Sequence, residues 1–168
     1  SPDWVQDLLS DRDQQINGYA GAPKQILVVD DRWENRSVLV SLLEAVGFQV
    51  VEAEHGEQAL EKLQQHAVDL VITDIVMPVM NGFEFLKLLR DEERFNSLPV
   101  IVSSASVSDI DRQKSLYMGG NDFLPKPVNA EDLFNLIAKQ LQLTWQYTQI
   151  KTSSSIIAPQ QQQEQDTD

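Results

Sequence analysis

The chain has 168 residues, with 13 Lys and Arg against 26 Asp and Glu, and so a formal charge of −13 at pH 7. That length fits one domain with tails, and 42% hydrophobic residues are enough for a packed core. The acidity argues against nucleic acid, whose phosphates need a basic patch. No apolar run approaches the ~20 residues of a bilayer span. Without cysteine there is no disulfide framework, zinc–thiolate site or cysteine nucleophile. The expectation is a soluble cytoplasmic protein without membrane contact.

Residues 1–23 carry Asp3, Asp7, Asp11 and Asp13 against Arg12 and lack the basic start and apolar stretch of a secretory signal. Trp4, Val5, Leu8 and Leu9 fit one short helical face, and Asn17 to Pro23 is rich in turn residues. This segment reads as an N-terminal linker, helical in part. Residues 151–168 are Ser- and Gln-rich and read as a low-complexity tail. Between them lies a body over 24–150.

The body alternates two periods. Ile26 to Val29 is a continuous apolar run, as in a strand buried on both faces. Leu39, Leu42, Leu43 and Val46 then give a helical face that stops at Gly47. Phe48 to Ala53 is a second strand, and Ala59, Leu60 and Leu63 mark a second helix. Leu70 to Thr73 is a third strand. Asn81 and Glu84 have capping-box spacing for a third helix, which buries Leu86 and Leu89. Val100 to Val102 is a fourth strand, followed by a weakly patterned helix from about Val107 to Met118. Asp122 to Leu124 is a short fifth strand, and Leu133, Leu136, Ile137 and Leu141 line a last helix that Asn129 can cap. This order predicts an α/β fold with a parallel five-stranded sheet covered by helices on both faces.

In such sheets ligands bind beyond the carboxyl ends of the strands, where the strand order reverses. Strand one ends in Asp30-Asp31, strand three in Asp74, strand four in Ser103-Ser104, and Lys126 follows strand five. With order 2-1-3-4-5, three carboxylates meet in one pocket beside a hydroxyl and an ammonium. Like charges this close need neutralising, and a few carboxylates with water suit Mg2+. No nucleotide cradle of the GxxxxGK[ST] or GxGxxG type is present. Taken singly, Asp31 also fits a helix cap with Glu34 three residues on. Phe123 fits a core aromatic, and His55 and His66 fit surface positions.

These residues resemble a known family. VVDD (28–31), TDIVMPVMNG (73–82), PVIVSSAS (99–106) and NDFLPKP (121–127) are similar to the receiver domain of two-component response regulators. The resemblance implies the flavodoxin-like, doubly wound (βα)5 fold of the chemotaxis Y protein. It implies that Asp74 accepts the phosphoryl group and that Asp31, Asp74 and the Val76 carbonyl hold Mg2+, with Asp30 helping through water. It also implies that Ser104 is the switch hydroxyl, Lys126 the phosphoryl contact, Phe123 the switch aromatic, and Lys126–Pro127 a cis bond. The implied partner is a histidine kinase or a histidine phosphotransfer domain. The stretches DRWENRSVL and KQLQLTWQY resemble receivers appended to bacterial hybrid histidine kinases; a single-domain response regulator is the alternative. A homodimer, if formed, is expected on the face of the fourth helix, fifth strand and fifth helix, or through the terminal segments. The chain is not expected to be an enzyme beyond its own phosphotransfer and dephosphorylation. Two further readings rank lower. An Asp-nucleophile phosphatase of the haloacid-dehalogenase type needs a second acid where Val76 stands. An interaction module without phosphorylation has no use for a complete pocket.

Overall fold

The computed structural model describes residues 10–11, 14–105 and 108–149. In chain order the first elements are β1 (Ser10–Asp11), β2 (Gln14–Tyr19), β3 (Gln25–Val29), α1 (Trp33–Ala45), β4 (Gln49–Ala53), α2 (Gly56–Gln65) and β5 (Leu70–Asp74). Then come α3 (Gly82–Asp91), a 3-10 turn at Glu93–Phe95, β6 (Val100–Ser104), α4 (Asp109–Tyr117), β7 (Asp122–Pro125), α5 (Ala130–Leu141) and β8 (Trp145–Gln149). Among the described residues no helix is long and apolar enough to cross a membrane.

The main sheet has the order β4-β3-β5-β6-β7, every pair parallel. Counting its strands along the chain, this is the predicted 2-1-3-4-5 order. Alternation along the buried strands divides the apolar side chains between the two faces. Ile26, Val28, Ile72 and Ile101 pack with Leu42, Leu43, Leu133 and Ile137 under α1 and α5. Leu27, Val29, Val71 and Val102 pack with Ala59, Leu63, Phe85 and Leu89 under α2 and α3. The one buried side chain of α4 is Ser115, which explains why its pattern is so weak in the sequence.

The helix ends follow local chemistry. Asn81 Oδ1 accepts from Glu84 N at 2.9 Å and Glu84 Oε1 from Asn81 N at 3.0 Å, the predicted capping box. Asn129 caps α5 through Asp132 N. Beyond α1, Gly47 at φ 103° lets its N–H reach Glu44 O and that of Phe48 reach Leu43 O, a left-handed termination that favours glycine. Asp31 is not a cap. The helix starts one residue later, after Arg32, which has no side-chain cap. Asp30 Oδ1 accepts from Arg32 N at 2.9 Å. His55 is more than a surface residue, since its Nδ1 accepts from Gln58 N at 3.2 Å and caps α2.

The sequence reading contained no second sheet. Residues 14–19, placed there in a linker, form β2, which pairs antiparallel with β8 and with β1. A bulge between Ile16 and Gly18 breaks the alternation that marks a strand. The partner is far along the chain: Asn17 Nδ2 donates to Thr148 Oγ1 across 131 residues. Aromatic packing fixes this sheet to the body. Tyr19 stacks on Phe48 at 4.6 Å, and Trp145 meets Phe134 edge-on at 5.5 Å and Phe48 at 6.1 Å. The helical face read at Trp4 to Leu9 and the Ser/Gln tail lie outside the described residues.

Candidate functional site

The parallel sheet brings every strand-end group to one edge. Asp30 directly follows β3, Asp74 closes β5, Ser104 closes β6 and Lys126 follows β7. Register aligns them: Asp74 lies beside Ser103, and Ser104 beside Pro125. The Lys126 N–H donates to Ser104 O at 2.9 Å, and the Lys126–Pro127 bond is cis.

Lys126 Nζ joins the two buried acids, 2.8 Å from Asp30 Oδ2 and 3.2 Å from Asp74 Oδ2. The other oxygen of Asp74 accepts from Ile75 N at 2.7 Å, so Oδ2 is the one turned to the ammonium. Asp30 is 2% exposed and Asp74 8%, whereas Asp31 is exposed. Single carboxylate oxygens of the three lie within 4.8 Å of one another. Burial is the largest influence on Asp74 and raises its pKa; Lys126 opposes that, and the Asp30 charge adds to it. The net direction is upward, so one ammonium does not fully compensate the site. Hard oxygen donors with surplus negative charge fit Mg2+, and among the described residues Asp30, Asp31 and Asp74 form a group that could hold a metal.

The acids open onto a cleft of about 350 Å³ lined by Asp31, Asn35, Asp74, Val76, Ser104 and Lys126. Val76 is 75% exposed at its rim. Ser104 is buried at the cleft. Phe123 is buried in the α2/α3-side core, with the Arg112 guanidinium 5.1 Å from its ring centre.

Two supports escaped the sequence reading. Arg36, one turn into α1, donates to Asp30 O at 2.8 Å and pairs with Glu52 at 3.0 Å, which ties the end of β3 to β4. Its signal was an arginine on the first turn after an acidic pair, easily taken for a solvated charge. Gly82 is the second. A Cβ there would lie 2.3 Å from Asp74 O and 2.9 Å from Ile75 Cα, and both contacts are backbone. Gly82→Ala is therefore expected to destabilise the protein by roughly 1–3 kcal/mol, read as a lower urea midpoint. An unchanged midpoint would show that the loop after Asp74 yields freely.

Residues 26–138 match the family model of the response regulator receiver domain. The chain belongs to this family. The receiver is 38% identical over 126 residues to response regulator GtcR of Aneurinibacillus migulanus, covering 75% of this chain and 51% of that protein. It is 44% identical over 109 residues to the transcriptional regulatory protein CpxR of Escherichia coli, covering 65% and 45%. The chain thus spans about half the length of these relatives. Among solved structures, chemotaxis protein CheY4 of Vibrio cholerae superposes with a TM-score of 0.68 at 32% identity, covering 71% of this chain and all of that one. The Ssk1 receiver domain of Saccharomyces cerevisiae, crystallised with the phosphotransfer protein Ypd1, gives 0.67 at 28%, covering 72% and 90%. A receiver domain of a Syntrophus aciditrophicus histidine kinase gives 0.66 at 28%, covering 71% and 90%.

Proposed function

We propose that this receiver takes a phosphoryl group onto Asp74 from a phosphohistidine, in a Mg2+-dependent reaction, and that the modification changes its protein contacts. The observation that carries the reading is Asp74 at the cleft, with its Oδ2 3.2 Å from Lys126 Nζ and one of its carboxylate oxygens within 4.8 Å of oxygens of Asp30 and Asp31. Asp30, Asp31 and Asp74, with the Val76 carbonyl, would hold the metal, which supplies positive charge against the phosphoryl oxygens when bound. Asp74 Oδ2 attacks phosphorus opposite the imidazole nitrogen. The P–N bond breaks, its electron pair stays on the nitrogen, and an acyl phosphate forms. Lys126 neutralises charge on the moving group. Ser104, at the same cleft, is the hydroxyl that meets the phosphoryl oxygens, and Phe123, on the neighbouring strand β7, transmits the change to the α4–β7–α5 face.

The donor is a histidine kinase or a phosphotransfer protein in the cytoplasm. The Ssk1–Ypd1 complex supports a donor of the second kind. The histidine-kinase receiver among the structural neighbours supports placing this domain in a hybrid kinase. The test is incorporation of phosphate from acetyl phosphate with Mg2+, followed by intact mass. Wild type gains one phosphoryl group; absence of uptake, or equal uptake by Asp74→Asn, refutes the assignment.

The exposed side chain of Val76 bears on the lifetime of that product. It stands at the cleft rim and cannot hydrogen-bond a water in line with the Asp74–phosphorus bond. Val76→Asn is expected to hasten loss of the phosphoryl group about tenfold, or ~1.4 kcal/mol of barrier. Slower or unchanged decay at fixed Mg2+ would dismiss water positioning at this residue.

A further inference from the structure

The small sheet ends in an edge that the rest of the fold does not use. Its order is β1-β2-β8, so alternate backbone N–H and C=O groups of β8 face away from β2 with no strand beside them among the described residues. Soluble proteins protect such edges with charge, proline or a bulge. The sequence of β8, WQYTQ, has no charge and no proline, and the sheet's irregularity lies in β2, between Ile16 and Gly18. Trp145, Tyr147 and Thr148 instead favour extended pairing. Trp145 is anchored on Phe134 and Phe48, so the strand is held in place before any partner arrives.

Charge selects the partner. A molecule of net charge −13 repels its own copies wherever its acids face outward, as at Glu57, Glu61, Asp91, Glu93, Glu131 and Asp132. Residues 14–23 and 140–149 contain no Asp, Glu, Lys or Arg. They form β2, β8, the end of α5 and the segments between, so the two long strands of the small sheet carry no formal charge of their own on an acidic protein.

We infer that β8 is a self-association edge. Two copies pair antiparallel through β8 about a two-fold axis at Tyr147, extending the small sheet across both. Antiparallel pairing of identical strands meets the symmetry of a closed dimer. Trp145 of one copy then lies opposite Gln149 of the other, and the two Tyr147 residues face each other. Tyr147 is 47% exposed, a half-covered aromatic awaiting a neighbour. Five residues of edge make a small interface, so the dimer is weak and depends on concentration.

Sedimentation equilibrium of the 168-residue chain tests this, from about 5 to 500 μM, a range that brackets a weak interface. Wild type should move from monomer to dimer. Tyr147→Lys, which sets like charges opposite each other, should raise the dissociation constant at least about tenfold. Tyr147→Thr keeps an uncharged strand former and should still dimerise. Near-UV circular dichroism from Trp145 shows whether each variant keeps β8 in place. A wild type that stays monomeric overturns the inference. So does a dimer equally strong in Tyr147→Lys, or one broken by Tyr117→Lys on α4 and not by Tyr147→Lys.

Discussion

Lys126→Met should lower the unfolding free energy of the metal-free protein by about 2–3 kcal/mol. The ammonium bonds both Asp30 and Asp74, and Asp30 is almost wholly buried. Removing one partner of a buried ion pair costs ~3–5 kcal/mol because a charge is left uncompensated. The lower figure is expected here because the cleft admits water. Millimolar Mg2+ should recover part of the loss, since a cation bound only by the folded state stabilises it by mass action. Urea unfolding of both proteins, in EDTA and in Mg2+, measures the two effects. A loss below about 0.5 kcal/mol, of the size seen at ordinary surface positions, would mean that Lys126 does not neutralise the acids. The same variant should take up phosphate about a hundredfold more slowly, the scale of losing one preorganised charge partner.

Asp74→Asn should have the opposite effect on stability while abolishing phosphoryl uptake. Uptake fails because the amide offers no carboxylate nucleophile. Stability rises because the folded protein holds the Asp74 pKa above its ordinary value of 3.8, through burial and the charge of Asp30. The sign follows from linkage. A carboxyl whose pKa is raised on folding binds its proton more tightly in the folded state, so ionisation weakens folding as pH rises through the raised value. The amide escapes that penalty, and Lys126 keeps Asp30 as a partner at 2.8 Å. The variant should therefore be the more stable at pH 7 without metal. Its advantage should shrink as the pH falls below the ordinary carboxyl value, where both states of the wild type are protonated. Urea curves at pH 7 and pH 3 without metal test this. A variant less stable than wild type at pH 7 would contradict the direction.

These two effects differ in how far the sequence foretells them. That Asp30, Asp31, Asp74, Ser104 and Lys126 share a pocket was legible from position alone. Each stands at the end of an apolar run, and a right-handed parallel sheet sends all such ends to one edge. That Lys126 bridges Asp30 and Asp74, while Asp31 stays exposed, was not legible. The side chains of adjacent Asp30 and Asp31 leave the chain in different directions, and only the register of β7 against β6 sets the reach of the ammonium. Arg36 was missed for a related reason: its contact with Asp30 is to a main-chain oxygen, which no residue type announces. Taken singly, Asp31 also fitted a helix cap, but the helix starts one residue later, after Arg32, which puts Asp31 outside the cap position.

By itself the sequence determined the order of the five strands of the main sheet, the caps at Asn81 and Asn129, and the edge at which the acids gather. Each depends on local periodicity or on short-range hydrogen bonds, which a chain carries in consecutive residues. Only the tertiary structure decided the second sheet, the placing of the Arg112 guanidinium over the Phe123 ring, and the sharing of one ammonium between two acids. β2 has too few apolar residues and a bulge, so it shows no period of two. It is a strand because β8 and the Tyr19–Phe48–Trp145 packing lie beside it, brought there from the other end of the chain. Pairing of that range is a property of the folded body, and no window of neighbouring residues contains it.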